Sequence, residues 1–209
     1  MAEALATKPA MLFAVQVAVG RAVCMAESYA ATPHAGTSLV FSDVGYDHAL
    51  IDALGERADG IEVLTTAPSP EVGFAEAYRA QFGDEPKNFA ANMYDAVLLL
   101  AYGLELSGGE GGRPLADALV RAVDGRGETV GWNAEGIGAA LSALRRGETP
   151  DLNGATGPLT YDPLVYTDLT ESHYGLFRVE GGELVSRAVI ATRESNTRGA
   201  GEAASQARA

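Results

Sequence analysis

Up to Thr66, apolar residues alternate between short dense runs and stretches with helical spacing. Ala10 to Val19 is a dense run and predicts a buried strand; Gly20 to Ala31, rich in small residues, predicts a helix. Ser38 to Asp43 predicts a second strand, Asp47 to Arg57 a second helix, and Ile61 to Thr66 a third strand. Alternation at this spacing implies a parallel sheet with crossover helices, an α/β fold class.

Beyond Thr66 the rhythm changes. "TTAPSPEVG" carries two prolines and reads as a linker. Phe74, Tyr78 and Phe82 recur every four residues and predict one buried stripe on a helix that Gly83 and Pro86 end. "NFAANMYDAVLLLAYGLEL" is apolar on nearly every side and predicts a core helix covered by neighbours. Leu115, Ala118, Leu119 and Ala122 mark a third helix after Pro114. Ile137, Leu141 and Leu144 mark a fourth, capped by Asn133 and closed by Arg145, Arg146 and Gly147. "GATGPLTYD" is a turn-rich crossing, and "SHYGLFRVEGGELVSRAVIA" reads as two strands joined at Gly181-Gly182. From Thr192 onward no large apolar side chain occurs, so the tail is expected to be disordered. Four helices between Val72 and Arg146 have no strands of their own. Either they form an all-helical subdomain, or their partner sheet lies outside this chain.

Composition narrows the function classes. Of 209 residues, 47% are hydrophobic, enough for a real core. The net charge of −13 repels phosphate backbones and anionic membranes, so nucleic acid is not an expected partner. One cysteine, Cys24, excludes a disulfide within the chain and a thiolate cluster. "KPAMLFAVQVAVGRAVC" resembles a lipoprotein signal only superficially, because Arg21 and Val23 stand where such a signal needs a leucine and a small residue.

Catalytic and nucleotide motifs are missing. "SGGEGGRP" and "DGRGETVG" fit neither a phosphate loop nor a dinucleotide fingerprint. His34, His48 and His173 lack metal-ligand spacing, and no nucleophile elbow or zinc-protease motif is present. No metal, no cofactor and no enzyme activity are expected. Asn92, Tyr94 and Asp95 open an apolar helix. They either complement its dipole and core or, in the case of Tyr94, reach into a cleft.

Asp43 is the principal candidate. Ser42 and Asp43 end the second predicted strand, and ligands of open parallel sheets bind beyond strand carboxyl ends. Asp47 is the more natural cap for the next helix, which frees Asp43 from that duty. A phospho-acceptor role would need companion acids and a lysine after a fifth strand. The only lysines, Lys8 and Lys87, are not so placed. The residues alone leave Asp43 open between ligand-facing and structural roles.

Several segments together resemble the type I periplasmic binding proteins, in particular the branched-chain amino-acid receptors of ABC transporters. They are "LVFSDVG", "GERADGIEVLTTAPSP", "FAEAYRAQFGDEPKNFAANMYDAVLLLAYGLEL", "LNGATGPLTYDPLVYTD" and "YGLFRVEGGELV", in order from about Thr37 to Glu194. The resemblance implies two Rossmann-like α/β lobes joined by hinge crossings, with a small ligand such as an amino acid or amide between them. Residues 1–68 would belong to the C-terminal lobe, 69–154 would be the helical part of the other, incomplete lobe, and 155–191 the last crossing and closing strands, before the 192–209 tail. In such proteins an acidic residue of the C-terminal lobe meets the ligand ammonium. Asp43 matches that position, and Ser42 and Tyr46 would line the same wall.

The resemblance also implies a periplasmic location and a membrane permease as partner. Two things depart from it: most of the first lobe and the export signal have no counterpart. The expectation is an N-terminally truncated product, a fragment or a chain with a complementing partner, exposing the apolar sides of Phe74, Tyr78, Leu98 and Leu99. The alternative function is a ligand-sensing regulatory or interaction module of the same fold without a transport role.

Overall fold

In the computed structural model, which describes residues 1–34, 36–161 and 169–193, a short helix α1 (Ala2–Ala6) precedes a strand–helix alternation. This runs β1 (Met11–Ala14), α2 (Val19–Ala30), β2 (Ser38–Phe41), α3 (His48–Leu54) and β3 (Glu62–Thr66). Four helices follow: α4 (Phe74–Phe82), α5 (Ala90–Leu106), α6 (Arg113–Val123) and α7 (Ala134–Arg145). Between and after the last two come two-residue strands, β4 (Thr129–Val130) and β5 (Asp151–Leu152). The long strands β6 (Glu171–Glu180) and β7 (Glu183–Arg193) close the described chain.

β1, β2 and β3 pair in parallel, and the β6–β7 hairpin extends the sheet antiparallel, giving the order β1-β2-β3-β6-β7. Its turn is the expected Gly181-Gly182, with φ of 60° and 85°. Ala22 and Ala26 are fully buried, and their small size lets α2 lie close on Leu39 and Phe41. Leu50, Ile51 and Leu54 bury one face of α3 in the same core, and the Asp47 carboxylate caps that helix, accepting from Ala49 N at 2.8 Å. Val179 of β6 completes the core from the other side of β3.

The segment expected to be a buried strand behaves otherwise. β1 is four residues long and pairs only with β2, so it is an edge strand. Ala14 is buried and Leu12 packs on the core. Met11 and Phe13 fall at the alternate positions and are exposed, as are Val15 and Val17 in the loop that follows. An unbroken apolar run cannot distinguish a strand covered on both faces from an edge strand covered on one.

The helices form a second core around Tyr102, Ala122, Ala140 and Leu144. The expectation that this region has no strands is corrected in a small way. Val130 of β4 and Leu152 of β5 pair in parallel and join that core. α7 is capped as expected, Asn133 Oδ1 accepting from Gly136 N at 2.8 Å. Of the α4 stripe, Phe74 is buried and Tyr78 packs beside it, but Phe82, the last residue of the helix, is 66% exposed with its ring against Tyr78, centroids 4.6 Å apart.

α5 is not covered all round. Ala91, Asp95 and Tyr102 are buried, while Met93, Val97, Leu100 and Leu104 recur at helical spacing along an exposed face. The exposed apolar residues therefore differ from the four expected. Phe74 is buried, and Tyr78, Leu98 and Leu99 pack against cores. β7 runs through Thr192 and Arg193, two residues into the predicted tail. The rest of that tail and the 162–168 part of the crossing lie outside the described residues.

Full burial of one large aliphatic side chain is worth about 1.5–3 kcal/mol, so a row of four uncovered ones favours association. Replacing Val97 by Glu and Leu100 by Lys should reduce concentration-dependent self-association. Light scattering across a dilution series measures this, with the helical circular dichroism unchanged.

Candidate functional site

At the carboxyl end of β2 the chain turns sharply. Ser42 N donates to Ala14 O at 3.0 Å, which carries β1–β2 pairing one step past the strands. Gly45 N then donates to Ser42 O at 2.8 Å and Tyr46 N to Asp43 O at 3.0 Å, closing a single tight turn over 43–45. The turn lies so close on β2 that a Cβ at Gly45 would sit 2.5 Å from Phe41 Cβ. Only glycine fits there.

Three of the four sequence candidates share this turn. Ser42 is 8% exposed, and its Oγ has no hydrogen-bond partner among the described residues. Asp43 is half-buried at the strand end. Tyr46 is half-buried with its ring edge-on to Phe177, centroids 4.6 Å apart. Burial, with smaller contributions from Glu85 and Asp84, pushes its hydroxyl above the ordinary tyrosine range.

Tyr94 is elsewhere. Its hydroxyl donates to Trp132 O at 3.0 Å, and its ring packs among Phe74 and Trp132. Trp132 Nε1 in turn donates to Val72 O at 2.9 Å. The turn and this aromatic cluster are not brought together.

Residues that the sequence did not single out join the turn to the rest. Asn88, in the loop between α4 and α5, donates through Nδ2 to Asp43 O at 3.1 Å and accepts at Oδ1 from Thr65 Oγ1 at 2.7 Å. Beside it, Thr66 Oγ1 donates at 3.2 Å to Oδ1 of Asn92, which the sequence already places at the start of α5. The available hint was the pair Thr65-Thr66 closing an apolar strand. Alternation buries one of the two hydroxyls, and a buried hydroxyl needs a partner.

A cavity of about 250 Å³ lies beside this network, lined by Tyr46, Thr65, Ser69, Arg79, Asn88 and Phe177 among others. A neighbouring hollow of about 400 Å³ shares Tyr46, Lys87 and Asn88 and reaches Glu183. Ser42 and Asp43 line neither.

The crossing at 154–157 is held by Asp95. Its carboxylate is 3% exposed and accepts from Ala155 N at 2.6 Å, Thr156 N at 2.8 Å and Thr156 Oγ1 at 2.6 Å. A Cβ at Gly154 would meet the carboxylate at 2.6 Å, so this approach also requires glycine. Burial raises the Asp95 carboxyl above its ordinary value, and the bonds from Thr156 and Ala155 offset part of that rise.

Among the described residues no group of three His, Cys, Asp or Glu side chains could hold a metal, and no helix is long and apolar enough to cross a membrane. The histidines are separate. His34 stacks on Tyr29, His48 is exposed on α3, and His173 lies 3.8 Å from Glu171. Cys24 is exposed.

No protein-family model matches the sequence, and no curated protein is similar to it. Solved structures are similar. A leucine-binding protein of Thermotoga maritima superposes with a TM-score of 0.63 at 20% identity, over 90% of this chain and 46% of that one. A solute-binding protein of an ABC transporter from R. palustris, in complex with benzoate, gives 0.54 at 21% identity over 93% of this chain and 47% of that one. A type 1 periplasmic binding protein from Bordetella pertussis gives 0.53 at 16%, over 85% and 45%. The chain has the type I periplasmic-binding-protein fold over the part it covers, and it spans about half the length of these structures.

Replacing Asp95 by Ala strands two amides and a hydroxyl in the interior. It should lower stability by about 3 kcal/mol in urea unfolding. Because the folded carboxyl holds its proton more tightly than the unfolded one, its contribution is fully present below the ordinary value of 3.8 and is lost as pH rises through the folded value. The gap between wild type and Asp95→Ala should therefore be widest in acid and narrow toward neutral pH.

Proposed function

We propose that the chain provides one wall of a solute-binding site for amino-acid or amide uptake by an ABC-type transporter. The ligand would be held against the Ser42–Tyr46 turn. The observation that carries this reading is Ser42-Asp43 at the carboxyl end of a central parallel strand, with a buried hydroxyl that has no partner beside a carboxylate. A carboxylate at such a wall selects for a cation, through charge-assisted hydrogen bonds to an ammonium group. It disfavours a purely anionic ligand such as benzoate. The solved relatives include one named as leucine-binding and one holding benzoate, and Asp43 favours the first chemistry.

The role is binding, not catalysis, in a periplasmic protein that delivers its ligand to a membrane permease. The opposite wall would come from a second lobe, whose sheet would cover Met93, Val97, Leu100 and Leu104. The uncovered α5 face and the half-length match support that arrangement.

Titration calorimetry with L-amino acids, their amides and benzoate tests this. An apolar L-amino acid should bind and benzoate should not. Asp43→Ala should weaken binding by about 10- to 100-fold, the worth of a charged hydrogen bond. Ser42→Ala should weaken it less while leaving the melting temperature unchanged or raised, since the hydroxyl it removes is buried without a partner. Binding undiminished in Asp43→Ala would place the ammonium contact elsewhere.

A further inference from the structure

Asn88 belongs to neither the strand-end turn nor the β3 end, yet it bonds to both. The carbonyl of Asp43 can only accept, so the Asn88 nitrogen must face it and the Asn88 oxygen must face the Thr65 hydroxyl. Both ends of one amide are thereby committed. Thr65 is 4% exposed and stands where β3 gives way to the crossing at 67–70. Asn88 itself lies two residues before α5, next to Phe89, whose φ of 63° starts the helix. Three bodies therefore meet at one side chain: the turn carrying Ser42, Asp43 and Tyr46, the strand end that begins the crossing, and the helical layer led by α5.

We infer that Asn88 is a positioning residue that couples the Asp43 turn to the helical layer, so that occupancy of the turn and the angle between sheet and helices are set together. This regulation rests on the reading of Asp43 as a ligand contact. The two claims separate experimentally. Rotation of α5 away from the sheet either draws Asp43 with it or breaks the Asn88 donation. Conversely, a ligand that fixes Asp43 holds Asn88, and with it the start of α5, in place. Tyr46, on the same turn, lines the cavity together with Asn88, so the same movement also alters that wall.

Spin labels test the inference in the whole chain. Cys24, the only cysteine, is exposed on α2, and Ala116→Cys adds a second label site on the exposed side of α6. Without ligand, Asn88→Ala should widen the label-to-label distance distribution relative to wild type. Asn88→Asp, which puts an acceptor against the Asp43 carbonyl, should widen it as well. Thr65→Val deletes one hydroxyl only. It should widen the distribution less, and it gives an independent arm should Asn88→Ala fail to fold.

With L-leucine as the probe, the wild-type distribution should narrow, and Asn88→Ala should lose about 5-fold or more in affinity. A distribution of equal width in wild type, Asn88→Ala and Thr65→Val overturns the coupling, whatever L-leucine does. Widening by these variants with no L-leucine binding to wild type reduces Asn88 to a structural brace between turn and helices, and overturns the amino-acid reading of Asp43 together with the link to occupancy.

Discussion

The arrangement of helices against sheet depends on one buried carboxylate. Asp95 sits on the covered side of α5 and takes three donors from the crossing at 154–156, which would otherwise be stranded in the interior. Once that crossing is held, Thr156 O accepts from Ser69 N at 3.0 Å, so the first crossing is fastened to the second. The first crossing is also tied to β6, with Ala67 N donating to His173 O at 3.0 Å. A single acid on a helix thus fixes how two chain crossings lie beside each other. Its cost is desolvation, visible in the raised affinity of Asp95 for a proton.

The hydrophobic effect acts unevenly on this framework. The sheet has a closed core on the side of α2 and α3, built from Leu39, Phe41, Leu50 and Val63, all almost fully buried. The helices have a second core on one side of α5. The remaining sides, Met11 and Phe13 on the edge strand and the row from Met93 to Leu104 on α5, meet solvent. These surfaces are too ordered in spacing to be scattered exposed apolar residues, and they lie on elements whose opposite faces are well packed. In a layered α/β architecture such one-sided apolar faces are covered by a further layer.

The sequence made most of this architecture legible, for identifiable reasons. The strand–helix alternation before Thr66, the Asp47 and Asn133 caps and the Gly181-Gly182 turn are local features and appear in the expected order, though the first strand is shorter and less buried than its apolar run implied. Exposure was not legible. "VLLLAYGLEL" is apolar on all sides, and nothing within the segment says which side finds a neighbour. β4 and β5, two residues each, exist only through their pairing and left no period to read. At the site, Ser42, Asp43 and Tyr46 were found because strand-end position is a sequence property. Asn88 was missed because its importance comes from contact with residues 45 and 23 positions away.

The contacts that hold the Asp43 turn leave its carboxylate out of account. In a chain of net charge −13 the Asp43 turn has, among the described residues, no basic residue bonded to it; its held contacts are an amide from Asn88 and backbone groups. The amide fixes the Asp43 carbonyl and leaves the half-buried carboxylate without an ion pair among the described residues. On the proposed reading, a guest cation would satisfy that carboxylate without displacing any bond of the turn. A guest anion would add to the repulsion already built into the chain. On that reading selection by sign would precede selection by shape, and shape would be left to the surface that closes over the wall.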